Sequence, residues 1–294
     1  MLNQAKTVLL LGVLSAILVG IGGAVAPGSL GLFIVLAVVM NVGAYFFSDR
    51  IVLRMHGAKE VSPEEAPDLH RMVGELAQAA NIPMPRVAII DDPQPNAFAT
   101  GRNPKHGVVA VTTGILGILS RRELRGVLAH EIAHIQHRDI LVSSIAAVLG
   151  STISGLANVL QFGALFGGGS QDGEEEGGGG GGLALALVAP IAAMLVQFGI
   201  SRSREYLADE GGAKLSGDPE ALANALLKLH RAATEIPTEQ PVPATASLFI
   251  VNPFAGALQS LGRWFSTHPP VEDRVRRLLE MAAWSGNGMP VRAL

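Results

Sequence analysis

His130-Glu131-Ile132-Ala133-His134 sets two imidazoles four residues apart, with a glutamate beside the first. On a helix, positions i and i+4 share one face about 6 Å apart at Cβ, so both rings can grip one divalent ion. Glu131 stands one step round that helix, beside the ion rather than on it, where it can take a proton from a metal-bound water. The chain contains no cysteine. Thiol nucleophiles, iron–sulfur clusters and Cys-based zinc sites are therefore excluded, and any metal must rest on His, Asp or Glu. Imidazole ligands favour one Zn2+ ion per chain, and the pattern points to hydrolysis by an activated water.

Catalytic zinc needs a third protein ligand and an open position. His137 lies on the same face as His130, but seven residues is about 10 Å along a helix axis, too far to share the ion. Glu205, in Arg204-Glu205-Tyr206-Leu207-Ala208-Asp209, is the better candidate. His134 precedes one apolar run by six residues and Glu205 follows another by five, so both would stand roughly 8–9 Å above one membrane face. Asp209, one turn beyond Glu205, can accept a hydrogen bond from a ligand imidazole.

These residues need elements to hold them. Ser120-Arg121-Arg122-Glu123 is a capping box that opens the helix carrying the His-Glu-x-x-His motif, expected through His137. Ser62-Pro63-Glu64-Glu65 is a second such box and predicts a helix to Asn81. β-branched runs at 86–90 and 107–111 predict short strands in a hairpin or small sheet. Asp218-Pro219-Glu220 starts a helix to about His230, and 270–284 has helical spacing with Val271, Val275, Leu278 and Leu279 on one face.

The rest is membrane-like. The 294 residues are 49% hydrophobic and only 16% charged, with a net charge of −3 and mean hydropathy +0.37. That excludes disorder and gives no nucleic-acid signature. Uncharged apolar runs occupy 7–25, 30–47, 140–166 and 183–200, each near the ~20 residues that cross a bilayer. All 22 Lys and Arg fall outside the two hairpin connections. The second connection, 167–182, is acidic and glycine-rich. The positive-inside rule then puts both termini and both hydrophilic segments in the cytoplasm, and loop 167–182 in the periplasm. The expected organisation is a transmembrane hairpin at 1–48, a first catalytic segment at 49–139, a second hairpin at 140–200 and a second catalytic segment at 201–294. The fold class is a multi-pass α-helical membrane protein with a cytoplasmic, mostly helical α+β zincin-like domain.

Four motifs in this order carry a resemblance: His130-Glu131-x-x-His134; Arg204-Glu205-Tyr206-x-Ala208-Asp209; Asn96-Ala97-Phe98-Ala99-Thr100-Gly101; and Thr267-His268-Pro269-Pro270. Together they resemble the HtpX family of bacterial inner-membrane zinc metalloproteases, gluzincins related to the CAAX prenyl proteases. The resemblance implies an endopeptidase of membrane quality control and stress response. It would cleave misfolded or damaged membrane proteins from the cytoplasmic side, with the lipid bilayer as its other partner. It implies zinc on His130, His134 and Glu205, with Glu131 as general base. Asn96, Ala97, Phe98 and Ala99 would be an edge strand to which substrate adds. His268 would donate to the developing oxyanion, and Arg274 would orient a site carboxylate or the substrate. Tyr206 is a weaker oxyanion candidate, and His137, Arg138 and Asp139 are expected to mark the membrane interface.

Two alternatives differ in class. An intramembrane protease would sink the motif in a span, at the cost of burying Arg121, Arg122, Arg125, Arg138 and Asp139 at bilayer depth. A non-hydrolytic metal-binding membrane protein would leave Glu131 without a task, and no expected span carries a charge to pass an ion.

Overall fold

The computed structural model describes residues 2–25, 27–152, 202–236, 245–251 and 269–286. Helices α1 (Leu2–Val25) and α2 (Leu30–Met55) form an apolar hairpin. Asn41 ties them together, donating from Nδ2 to Ser15 Oγ at 2.7 Å and to the Leu11 carbonyl at 3.3 Å. Outward, the hairpin shows large apolar side chains to the surroundings: Val8, Leu32, Val35, Val38, Val39, Phe46 and Phe47 are all exposed. Among the described residues, α2 is the one helix long and apolar enough to cross a membrane by length and composition. It continues past its expected end at 47. Ser48, Asp49, Val52 and Leu53 are buried, and Arg86 pairs with Asp49. Packing of Val52 and Leu53 against the residues of the sheet extends the helix beyond its apolar belt. The expected third span is described as α6 (Ile140–Thr152); its remainder, the expected fourth span, the loop 167–182 and residues 237–244 and 252–268 lie outside the described residues.

The strands are β1 (Lys59–Glu60), β2 (Arg86–Ile90), β3 (Ala97–Thr100) and β4 (Val108–Thr112), in sheet order β1-β2-β4-β3. Of the two expected arrangements, hairpin or small sheet, the structure has the sheet: β2 and β4 pair in parallel, Arg86 against Val108 through Ile90 against Thr112. β3 crosses between them in sequence and pairs antiparallel on the far side of β4. Alternate residues point to opposite faces of a strand, and both faces here are covered. Val87, Ala97, Ala99, Val109 and Val111 join the helical core, while Ala88, Ile90, Phe98, Val108 and Ala110 pack with residues of α2 and α6. A sheet buried on both faces reads as continuous apolar runs, so sequence pattern alone does not reveal strand direction. His56, just beyond α2, belongs to the second face, ringed by Phe98 and Phe249. Burial pulls its pKa down to about 4 against the pull of Asp92, so the ring is neutral.

Helix α3 (Pro67–Ala79) starts later than expected. The Ser62–Glu65 exchange does form, with Ser62 N–H donating to Glu65 Oε2 at 2.7 Å and Glu65 N–H to Ser62 Oγ at 3.4 Å. It closes a turn instead of a helix because Pro67 pushes Ala66 out of the α region (φ −137°, ψ 63°). After the short α4 (Thr113–Ile118), α5 (Arg121–Gln136) keeps its expected capping box at Ser120 and Glu123. Helices α7 (Arg202–Ser216) and α8 (Pro219–Glu235) pack on it, and α9 (Val271–Gly286) packs on those two. α8 runs beyond His230 because its apolar face continues through Ala232 and Ala233.

The α5–α7 crossing decides the site. A Cβ placed on Gly212 of α7 would lie 2.8 Å from the His130 backbone nitrogen and 2.9 Å from its Cα. Contact that close to backbone cannot be relieved by rotating a side chain. Gly212→Ala is therefore expected to push the helices apart. The gain in helix propensity, about 1 kcal/mol, would not offset this clash, and the melting temperature should fall by several degrees along with loss of bound metal. Gly74→Ala on α3, where the nearest atom is the flexible Met84 Sδ at 3.6 Å, should keep bound metal and leave the melting temperature equal or higher. Thermal unfolding and metal analysis of the two variants check this.

Candidate metal centre

His130 and His134 lie one turn apart on α5, and their Nε2 atoms are 3.1 Å apart. Glu205, in the first turn of α7, brings Oε1 to 3.6 Å from His134 Nε2 and Oε2 to 3.9 Å from His130 Nε2. One ligand atom from each residue lies within 4.8 Å of the others. Each ring is held from behind. His130 Nδ1 is 3.0 Å from Asp209 Oδ1, in a contact short of ideal hydrogen-bond alignment. His134 Nδ1 is 3.2 Å from Asp139 Oδ2. A carboxylate behind Nδ1 selects the tautomer that presents the Nε2 lone pair forward.

Two forward lone pairs and a carboxylate at this spacing call for positive charge. The electrostatics agree. Burial disfavours a charged His134, yet Asp139, Glu205 and Glu131 together hold its pKa up to about 10. The place where that proton is held is where a divalent cation would satisfy both rings and Glu205 at once. The donor set of two imidazoles and one carboxylate fits zinc in a hydrolytic site. Asp209 is itself locked: Arg274, fully buried on α9, donates from Nε and Nη2 at 2.8 and 2.7 Å. Burial would raise the Asp209 pKa, but the Arg274 charge and hydrogen bonds and the His130 contact hold it down. Arg274 Nη1 also donates to the Ile250 carbonyl at 2.9 Å and lies 3.8 Å from Glu205 Oε2.

Glu131 sits in the same cleft, fully buried. Burial pushes its pKa up to about 7; the His134 charge opposes this and Glu205 adds to it. The Ala99 backbone of β3 also acts to lower this pKa, while Glu131 Oε1 has no hydrogen-bond partner among the described residues. An ionisable oxygen poised near neutrality and unpartnered can exchange a proton with a guest in the cleft.

The expected site residues thus divide. His130, Glu131, His134 and Glu205 converge, with Asp209 and Arg274 behind them. Of the expected edge-strand residues, Ala99 lines the cleft. Phe98 points to the opposite face against His56 and Phe249. The chain's own residues 250 and 251 engage the other two. Ile250 N–H donates to the Ala97 carbonyl at 3.1 Å, and the Asn96 amide bonds both the carbonyl and the N–H of Val251 at 2.9 and 3.4 Å. Tyr206 stacks under the Arg277 guanidinium at 3.7 Å. His268 lies outside the described residues.

Asp139, expected at the membrane interface, is instead 3% exposed and behind a ligand ring. It is the fifth residue after His134, and the turn at Arg138 (φ 59°) folds the chain back onto the helix end. Asp139→Asn is expected to keep an acceptor but remove the charge, weakening zinc binding about 10-fold, with Asp139→Ala nearer 100-fold. Chelator-competition titration measures both; unchanged affinity in both would make Asp139 a turn residue only.

Comparison with known proteins follows the same residues. The model for peptidase family M48 matches residues 63–282. A protease HtpX homolog of Syntrophobacter fumaroxidans is 55% identical over 283 residues, covering 95% of this chain and 99% of the relative. Another from Burkholderia thailandensis is 53% identical over 287 residues, covering 96% and 98%. Among solved structures, S. mikatae Ste24p aligns with 19% identity and a TM-score of 0.49, over 88% of this chain and 64% of that one. With the family model spanning both the His-Glu-x-x-His helix and the Glu205 helix, the chain belongs to peptidase family M48 and is a zinc metalloprotease.

Proposed function

We propose that this protein is a membrane-anchored endopeptidase that cleaves unfolded segments of damaged proteins, membrane proteins among them, on the cytoplasmic side of a bacterial inner membrane. The observation that carries the chemistry is the convergence of two carboxylate-backed imidazoles, Glu205 and the unpartnered Glu131 Oε1 in one cleft. Zinc held by His130, His134 and Glu205 supplies Lewis acidity toward the scissile carbonyl and the attacking water. Glu131 Oε1 accepts the proton of that water and returns it to the departing nitrogen. Asp209 and Asp139 keep the ligand rings oriented, and Arg274 keeps Asp209 ionised and in place. Substrate backbone is taken at the Ala99 portion of the β3 edge, since residues 250 and 251 already engage Asn96 and Ala97. His268 is retained as an oxyanion donor from its motif alone.

The exposed apolar belt of α1 and α2 supports anchoring, because a face that large and bare is destabilised in water and at home in lipid. The Lys and Arg distribution supports the cytoplasmic orientation of the catalytic segments and the four-span organisation.

Two experiments test this. Purified full-length protein should degrade unfolded casein, lose that activity to a chelator and regain it with zinc. Glu131→Gln should keep stoichiometric zinc and lose at least 100-fold in kcat; Glu205→Ala should lose zinc as well. Full cleavage by Glu131→Gln would remove it as the base. The native chain has no cysteine, so single introduced cysteines report topology without background. Cysteine at Lys105 should be shielded from a membrane-impermeant reagent in intact spheroplasts, and cysteine at Gly28 should be labelled. The opposite pattern would invert the orientation.

A further inference from the structure

Residues 247–250 line the cleft opposite the metal ligands, and the segment 245–251 that carries them is held at both ends. Thr245 Oγ1 and His56 Nε2 are 2.8 Å apart, and Leu248 N–H closes a turn onto the Thr245 carbonyl at 2.9 Å. Phe249 packs edge-on to Phe98 and His56. Ile250 and Val251 are fastened to Ala97, Asn96 and Arg274 through their backbones. Between these anchors sits Ser247, lining the same cleft as His130, Glu131, His134 and Glu205.

Ser247 is 8% exposed, and its Oγ has no hydrogen-bond partner among the described residues. The other cleft hydroxyl, Ser143, donates to the Asp139 carbonyl at 3.3 Å. A buried hydroxyl left unpaired costs folding free energy, so a fold that retains one needs a compensating use for it. The cleft beside it has room for roughly two waters, which can serve the hydroxyl until a guest displaces them. The guest already required at this place is a peptide.

Resting on the metallopeptidase reading, we propose that Ser247 is a catalytic residue: its Oγ–H donates a hydrogen bond to a backbone carbonyl oxygen of the peptide held in the cleft. The two imidazoles that could activate the hydroxyl as a nucleophile are spent as metal ligands. Ser247 therefore forms no covalent bond and keeps its proton throughout turnover. Its rigid anchoring means the donor is aimed before substrate arrives. None of the motifs that carry the resemblance includes Ser247; it comes from the packing of a segment with no motif of its own.

The test uses zinc-loaded full-length protein in detergent cleaving fluorescently labelled unfolded casein. Ser247→Ala should lower kcat/KM about 10-fold with zinc content unchanged. Its melting temperature should be unchanged or higher, because no existing bond is lost. Ser247→Thr, which keeps the hydroxyl, should recover most of the activity. Wild-type kcat/KM in Ser247→Ala overturns the proposal. So does an equal loss in Ser247→Thr and Ser247→Ala, or a loss that comes with a lower melting temperature, since each marks a packing role. Failure of the underlying reading is separate: wild-type cleavage insensitive to chelator, or undiminished in Glu131→Gln, removes the metallopeptidase assignment and the Ser247 role with it.

Discussion

Two imidazole nitrogens 3.1 Å apart, each fixed from behind by a carboxylate, do not rest stably with bare lone pairs facing one another. Positive charge must lie between them, and the surroundings are arranged to hold it. Glu205, Glu131, Asp139 and Asp209 converge on the pair, with Arg274 offsetting the excess at the back. The same arrangement sets the protonation of Glu131. Burial raises its pKa to about 7, so the oxygen proposed to accept and release a proton is not locked in either state.

That cluster depends on a close approach of two helices. Gly212 lets α7 lie against the backbone at His130, and the first turn of α7 then delivers Glu205 while the second delivers Asp209. α9 closes the assembly by inserting Arg274, a fully buried cation that only a bidentate carboxylate and a carbonyl make tolerable. Removing either partner of such a pair leaves a buried charge, which makes the Arg274–Asp209 contact a structural requirement as well as an electrostatic one.

The sheet links this catalytic side to the apolar hairpin. One face packs on α3 and α5, the other on α2 and α6, and Thr100 Oγ1 meets Ser144 Oγ of α6 at 2.7 Å. Residues 245–251 cover the outer edge of β3 near Asn96 and Ala97. This blunts an edge that would otherwise invite unwanted pairing and leaves the Ala99 portion beside Glu131. The wall of the cleft is thus the same segment that protects the sheet.

Local chemistry is legible in the linear chain wherever the deciding contacts are short-range. His130, Glu131 and His134 follow from helical spacing, the Ser120 cap from a box of four residues, and the strand at 86–90 from its β-branched run. Glu205 is reachable because the expected return of two apolar runs to one face would set it level with His134. Where contacts are long-range, pattern is silent or misleading. Parallel pairing of β2 with β4 is a choice between registers equally compatible with apolar runs buried on both faces. The Ser62 box closes as a turn because Pro67 overrides it. Asp139 reads as an interface residue because nothing in its neighbours reveals that a left-handed turn returns it to His134, and Ser247 has no signal until packing brings its segment over α5. The sequence by itself determined which groups can ligate, cap and span, since those are properties of residue type and spacing. Only the tertiary structure decided which carboxylates stand behind which ring and which hydroxyl faces the cleft, because those partners lie far apart along the chain and meet only when helices and sheet are packed.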